Sequence, residues 1–137
     1  MVDAATRPAK STATIGERLA RAVAAGDGTT LLGLLAPDLD FKAVTPRRTW
    51  ELTSSAEVVE TMLGTWFGGN RHVDGIEQVT CGHVEDREHV AYRFRATTGD
   101  GAATIEQQAY LGVEDGVVTS LHILCSGYRP AGGTPAS

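Results

Sequence analysis

The hydrophobic pattern of this chain changes its period at Ile76, and no other sequence feature limits the possible folds as strongly. Before Ile76, apolar side chains recur with the spacing of one helix face. After it they alternate with polar side chains, in runs rich in Val, Ile, Thr, Tyr and Phe. The second part of the chain therefore predicts strands over residues 76–84, 88–97, 102–114 and 117–126.

The connections between these strands are short enough to be hairpin turns. Asp100-Gly101 and Asp115-Gly116 favour the type I′ turn, because both of its central residues need positive φ. Asp86-Arg87 separates the first two strands. Strands joined in this way form an antiparallel meander.

The first part of the chain predicts three helices, two of which begin with a capping box. In Thr14 with Glu17, and in Ser54 with Glu57, a hydroxyl and a carboxylate can satisfy free amides at a helix N-terminus. Gly26 can end the first helix in a left-handed conformation. The other predicted elements are a short helix over 31–35, a strand over 39–44, and a third helix with the apolar face Val58, Met62, Leu63 and Trp66. Helices followed by a meander make an α+β domain with the helices on one face of the sheet.

The length of 137 residues favours a single domain, which we expect over residues 14–130 between flexible tails at 1–13 and 131–137. A net charge of −5 without a basic stripe argues against nucleic-acid binding. No apolar run approaches the roughly 20 residues of a membrane span, so we expect no membrane contact. The N-terminus does not look like a secretion signal, which predicts a cytoplasmic protein with reduced cysteines.

This order of elements resembles the nuclear transport factor 2-like superfamily, which includes ketosteroid isomerases, limonene epoxide hydrolases and SnoaL-like polyketide cyclases. The local segments that carry the resemblance are 25–27, 35–41 and the closing hairpin 113–122. The resemblance implies a cone-shaped, curved antiparallel sheet packed on three N-terminal helices. Enzymes and binding modules share this cone, so the fold does not fix the function.

The resemblance also allows the catalytic positions of known members to be compared with this chain. A ketosteroid isomerase has a tyrosine, a general-base aspartate and a protonated acid where this chain has Leu19, Ala43 and Gln108. An epoxide hydrolase of this fold has an Arg-x-Asp strand and a second Asp. This chain has residues 93–95 (Arg-Phe-Arg) and Ile123 at those places. Both known chemistries are therefore disfavoured.

The predicted turns decide which side chains face each other across the strands. A turn at Asp100-Gly101 pairs Arg95 with Glu106, and one at Asp115-Gly116 pairs Glu106 with Cys125. One sheet face then carries Arg93, Arg95, Glu106, Gln108, Tyr110, Leu121, Ile123 and Cys125. The other carries Val90, Tyr92, Phe94, Ile105, Gln107, Ala109, Leu111, Val113, His122 and Leu124.

Two interpretations of these faces remain open. Hydrophobicity alone buries the Val90 face, and Arg95–Glu106 is then a surface ion pair worth about 0–1 kcal/mol. Alignment to the cone instead makes the Gln108 face concave, and we adopt that interpretation. Trp50 and Trp66 are either walls of the cavity or plain core.

This placement predicts a cofactor-free SnoaL-like isomerase, cyclase or hydratase acting on a small, largely apolar, oxygen-bearing molecule such as a polyketide intermediate. Arg95 would bind an oxyanion, Gln108 would donate a hydrogen bond to it, and Glu106 would move the proton. The expected substrate contacts are Arg93, Tyr110, Trp50, Trp66, Leu121, Ile123 and Cys125. The alternatives are a non-catalytic binder of a small hydrophobic ligand and a pure dimerisation module.

The remaining expectations concern metals, cofactors, assembly and cysteines. The four histidines lack metal-ligand spacing, and no cofactor motif is present, so we expect neither a metal nor a cofactor. We expect a homodimer through the convex sheet face, taken here as the Val90 face. Cys81 and Cys125 should not be bonded, because the meander places them three strands apart and on opposite faces.

Overall fold

The computed structural model describes residues 14–131, in which helices pack on one face of a seven-stranded sheet. This arrangement confirms the predicted α+β fold. The predicted tails, 1–13 and 131–137, lie outside the described residues except for Ala131. In chain order the elements are α1 (Ile15–Ala25), α2 (Gly28–Leu34), β1 (Leu35–Thr45), β2 (Arg48–Leu52), α3 (Ser55–Val59), a π-helical segment (Glu60–Trp66), β3 (His72–Val84), β4 (Arg87–Thr98), β5 (Gly101–Glu114), β6 (Val117–Cys125) and β7 (Arg129–Pro130).

The helix boundaries follow the predicted capping residues. Thr14 Oγ1 accepts from the Glu17 amide at 3.0 Å, and Ser54 Oγ accepts from the Glu57 amide at 3.4 Å. Gly26 ends α1 with a φ of 66°, in the left-handed region that glycine tolerates. Local side-chain chemistry therefore fixes where the helices begin and end.

Helix α3 continues directly into the π-helical segment, which the sequence pattern did not predict. The amide of Phe67 donates to the carbonyl of Met62 at 3.0 Å, a bond five residues back along the chain. The continuous helix buries Val58, Met62 and Trp66, as the predicted apolar face requires. π-Helical turns of this kind are frequent at functional sites.

The strand order is β2-β1-β6-β5-β4-β3, with the short β7 paired to β5. The four strands of the second half form the predicted antiparallel meander. Strand β2 was not predicted, and β1 pairs in parallel with β6, which periodicity does not indicate. No helix in the described part of the chain is long and apolar enough to cross a bilayer.

The predicted pairing of Arg95 with Glu106 is wrong, because the β4–β5 turn closes one residue early. Thr98 pairs with Gly101, which has a φ of 112°, so the turn residues are Gly99 and Asp100. Arg93 now pairs with Glu106, and Arg95 pairs with Thr104. Since the pairing moves by two residues, every side chain of β4 and β5 keeps its predicted face.

The β5–β6 pairing changes by one residue, and this does exchange faces. The turn at Asp115-Gly116 forms as predicted, with φ values of 52° and 82°. A bulge between Gly112 and Val113 follows, where Ser120 Oγ accepts from the Gly112 amide at 3.2 Å. Leu121, Ile123 and Cys125 therefore lie on the same face as Gln107, which is opposite to the prediction. His122 and Leu124 lie on the same face as Gln108.

The interior of the fold lies against the apolar sheet face, so the adopted face assignment is wrong. Val90, Tyr92, Phe94, Ile105 and Leu111 are all buried in one core with the helices. At Gly16 of α1 an added Cβ would lie 3.0 Å from Val90 Cβ, which shows how closely this helix lies on β4. We call the helix-covered surface the inner face and the other the outer face. Burial of apolar side chains is the dominant favourable contribution to folding, and it explains why the helices cover the apolar face of the sheet.

Two further expectations change with this placement. The apolar face expected to form a dimer is already covered by helices. Cys81 and Cys125 are both free, as predicted, and lie three strands apart. They are not on opposite faces, because Cys81 pairs with the inward Val90 and Cys125 pairs with the inward Gln107.

Candidate functional site

A pocket of about 270 Å³ opens between the π-helical segment, the β1–β2 hairpin and the end of β6. We call it the aromatic pocket. Its walls include Trp50, Trp66, Tyr128, Ile105, Cys125, Arg48 and Arg71. This volume lies just below the ~300–1,000 Å³ range of small-molecule sites, so the pocket suits only a small ligand.

Two tryptophans form one wall of the aromatic pocket. The ring of Trp66, from the π-helical segment, lies edge-on to Trp50 with centroids 5.8 Å apart. Trp50 Nε1 donates to Thr45 Oγ1 at 2.9 Å, which fixes its indole on the hairpin. Trp66 Nε1 is buried without a hydrogen-bond acceptor. The wall is thus apolar and includes one unpaired donor.

Tyr128 also lines the pocket, and the sequence pattern did not single it out because it follows the last long strand. Its hydroxyl donates to the carbonyl of Trp66 at 2.6 Å, which joins the segment after β6 to the π-helical segment. Burial raises the pKa of Tyr128 to about 12, although the nearby Arg71 acts in the opposite direction. The phenol is therefore protonated at neutral pH and serves as a donor.

A row of buried polar side chains crosses the inner face beside the pocket. Tyr92, Gln107 and Cys125 are neighbours on β4, β5 and β6, and we call them the polar row. The Tyr92 hydroxyl donates to Gln107 Oε1 at 2.5 Å. Gln107 is only 1% exposed, and its Nε2 has no partner. Burial also raises the pKa of Tyr92, which keeps its hydroxyl protonated.

The charged side chains of the pocket are both arginines. The guanidinium carbon of Arg48 lies 3.6 Å from the ring centroid of Trp50, and that of Arg71 lies 5.5 Å from the centroid of Tyr128. Among residues 14–131, no carboxylate or imidazole lines the pocket. Arg48 follows Arg47 in the sequence, and a basic pair by itself indicates only a solvated loop.

The predicted catalytic residues lie on the outer face instead. Arg93 Nε donates to Glu106 Oε2 at 2.8 Å, and the Glu106 side chain is 55% exposed. Gln108 Oε1 lies 3.0 Å from His89 Nε2. The expectation that these groups and Arg95 line an interior cavity is wrong, because the outer face is not covered by helices.

The expected substrate contacts are divided between the two faces. Trp50, Trp66 and Cys125 line the aromatic pocket. Leu121 and Ile123 are buried in the core. The predicted contacts on the outer face are Arg93 and Tyr110, the latter with its ring centroid 4.8 Å from that of His89. Among residues 14–131, no three His, Cys, Asp or Glu side chains are placed to hold a metal ion.

Comparison with known proteins identifies the architecture. No protein-family model and no curated protein gives a significant match to the sequence. Solved structures do match, among them a candidate isomerase from Rhodopseudomonas palustris, with 13% identity, a TM-score of 0.68, and coverage of 83% of this chain and 90% of that one. A candidate polyketide cyclase from Pseudomonas putida matches with 14% identity, a TM-score of 0.61, and coverage of 80% and 90%.

A third match carries a bound small molecule. It is a protein with a ketosteroid isomerase-like fold from Catenulispora acidiphila in complex with trimethylamine, with 18% identity, a TM-score of 0.63, and coverage of 88% of this chain and 97% of that one. The chain has the nuclear transport factor 2-like fold. Structural matches at identities this low establish the architecture alone, so the activity has to be argued from the pocket.

Proposed function

We propose that this chain binds a small, largely apolar, oxygen-bearing molecule in the aromatic pocket, without converting it. The observation that carries the proposal is the chemistry of the pocket walls. They combine the rings of Trp50, Trp66 and Tyr128 with hydrogen-bond donors, and the described residues place no carboxylate or imidazole in them. Apolar walls with a few placed polar groups are typical of ligand sites.

The unpaired donors support an oxygen-bearing ligand. Trp66 Nε1 and Gln107 Nε2 are both buried without acceptors. Each such group costs about 1–3 kcal/mol of stability, so native chains rarely retain one without a reason. Trp66 lines the aromatic pocket, so an oxygen of a ligand bound there would give Trp66 Nε1 its acceptor. Gln107 does not line the pocket, although its neighbour Cys125 does. The Catenulispora protein, which holds trimethylamine, supports the capacity of this fold for a small ligand.

An isomerase, cyclase or hydratase would need a proton acceptor at the ligand, which the pocket walls do not supply. Tyr92 and Tyr128 have raised pKa values and stay protonated at neutral pH. Cys125 is buried, and no histidine of residues 14–131 lines the pocket beside it to activate its thiol. Glu106 is exposed on the outer face. Binding therefore fits the geometry better than catalysis.

Native mass spectrometry of freshly purified protein tests the proposal. We expect a population with one small molecule retained per chain. A matched variant, Trp66→Ala, should lose that population, whereas Tyr110→Ala on the outer face should keep it. A retained mass that survives Trp66→Ala would contradict binding in this pocket, and turnover of a retained compound by the purified chain would restore the enzymatic interpretation.

We also propose a homodimer, formed through the outer face instead of the apolar face expected from the sequence. Leu124 is 56% exposed there and Val44 is 48% exposed, on neighbouring strands. Light scattering should give the mass of two chains, and Leu124→Lys should reduce it to one. A wild-type chain that is monomeric at micromolar concentration would refute the dimer without affecting the pocket.

A further inference from the structure

Within the described part of the chain, the two arginines of the aromatic pocket have no acidic partner. We propose that the ligand is an organic anion, a carboxylate on a small apolar body, whose charge is bound by Arg48 and Arg71. This inference rests on the proposed binding function, and it adds the chemical class of the ligand.

The first support is charge. Arg21 and Arg93 each have a carboxylate within 4.0 Å, whereas no described carboxylate lies that close to Arg48 or Arg71. Both arginines line a pocket without acids, in a chain of net charge −5. The sequence contains 17 Asp and Glu residues, yet none of those described lies beside these two arginines. A local excess of positive charge in a cleft attracts anions.

The second support is the way the guanidinium groups are held. Arg48 lies over the ring of Trp50 and Arg71 over that of Tyr128. Arg71 Nη1 also donates to the carbonyl of Thr65 at 2.7 Å. A guanidinium stacked on a ring keeps N–H groups at its edge available for the two oxygens of a carboxylate. These contacts restrain two arginines that are otherwise exposed to solvent, Arg48 more closely than Arg71.

The same charges disfavour a cationic ligand. The Catenulispora protein holds trimethylamine, an amine. In this chain an ammonium group would face two guanidinium groups and no carboxylate in the pocket. Like charges at close range repel, whereas the rings of Trp50, Trp66 and Tyr128 suit the apolar body of the ligand.

The test compares three probes of similar shape: phenylacetate, 2-phenylacetamide and phenethylamine. The sequence contains two tryptophans, and both line the pocket, so two indole N–H resonances can be followed in an NMR titration. Trp50 also borders a second cleft with Tyr110 and His122, so the Trp66 resonance is the one that assigns binding to the aromatic pocket. We expect phenylacetate to bind at least about tenfold more tightly than the amide, as loss of charge-assisted hydrogen bonds implies. Phenethylamine should bind most weakly.

Matched variants assign the effect to the two arginines. Arg48→Gln and Arg71→Gln should each weaken phenylacetate binding by about tenfold. Both should leave binding of the neutral amide within about twofold, which also shows that the pocket is intact. Arg18→Gln, which removes an exposed arginine on α1 far from the pocket in sequence, is the control and should leave all three probes unchanged.

The outcomes separate this inference from the binding function. If the amide or the amine binds as tightly as phenylacetate, the anion proposal is wrong and the binding function stands. The same holds if phenylacetate is preferred but neither arginine variant weakens it. If no probe moves either indole resonance at millimolar concentration, both proposals are overturned.

Discussion

The buried hydrogen bond between Tyr92 and Gln107 leads to a prediction that uses both partners. Tyr92→Phe removes the hydroxyl that donates to Gln107 Oε1, and then neither end of the buried amide has a partner. Gln107 is 1% exposed, so water cannot replace the lost bond. An unsatisfied buried group costs about 1–3 kcal/mol, and we expect Tyr92→Phe to lower the free energy of unfolding by that amount.

The effect of replacing Gln107 depends on which residue stands at position 92. In the wild type, Gln107→Met removes the unpaired Nε2 but leaves the Tyr92 hydroxyl without its acceptor, so the loss should be smaller than for Tyr92→Phe. In the Tyr92→Phe background, the same change removes an amide with no partner left. It should then be neutral or stabilising, because replacing both partners by apolar groups of similar shape leaves nothing unsatisfied.

Urea denaturation of the wild type, the two single variants and the double variant measures these free energies. Gln108→Met is the matched control, since Gln108 is exposed on the outer face, and it should change stability by less than about 0.5 kcal/mol. A double variant less stable than Tyr92→Phe by more than about 1 kcal/mol would refute the reasoning. In that case Gln107 would stabilise the fold by some interaction other than its hydrogen bond with Tyr92.

Three further predictions concern other parts of the fold. Thiol titration of the native protein should find Cys81 reacting fast and the buried Cys125 slowly, with both reacting after denaturation; equal native rates would contradict this placement. Because the pKa of Tyr128 rises from 10.0 to about 12 on folding, its contribution to stability is complete below pH 10.0 and is lost as the pH rises through about 12. Tyr128→Phe should make the alkaline loss of unfolding free energy shallower in urea titrations, and an unchanged slope would count against the shift. Gly68→Ala would bring a Cβ within 2.5 Å of a backbone oxygen of the π-helical segment and should cost about 1–3 kcal/mol, whereas Gly33→Ala, where the space is open, should cost nothing in the same thermal unfolding assay.

The sequence by itself determined the elements whose signals are local. The hydroxyls of Thr14 and Ser54 cap helices where predicted, because a cap depends only on residues within one turn. The Asp115-Gly116 turn formed where its φ requirement placed it. The change of period at Ile76 was enough to give the α+β class, since periodicity records which side chains must be buried.

Tertiary structure decided which sheet face the helices cover. The apolar side chains between Val90 and Leu111 favoured the observed face, whereas the resemblance to the cone favoured the other, so the sequence left both faces open. A pairing change of two residues in β4–β5 left the faces unchanged, whereas the one-residue bulge near Gly112 moved Cys125 to the interior. A bulge depends on side-chain bonds such as that of Ser120, which no period in the sequence reveals.

The aromatic pocket was also decided in three dimensions. Trp50, Trp66 and Tyr128 come from a hairpin, a π-helical segment and the residues after β6, which are far apart in the chain. Their meeting depends on the parallel pairing of β1 with β6, which brings the β1–β2 hairpin beside the end of β6. Parallel pairing joins segments distant in sequence and leaves no local turn signal, so the sequence could nominate the tryptophans but could not place Tyr128, Arg48 and Arg71 around them.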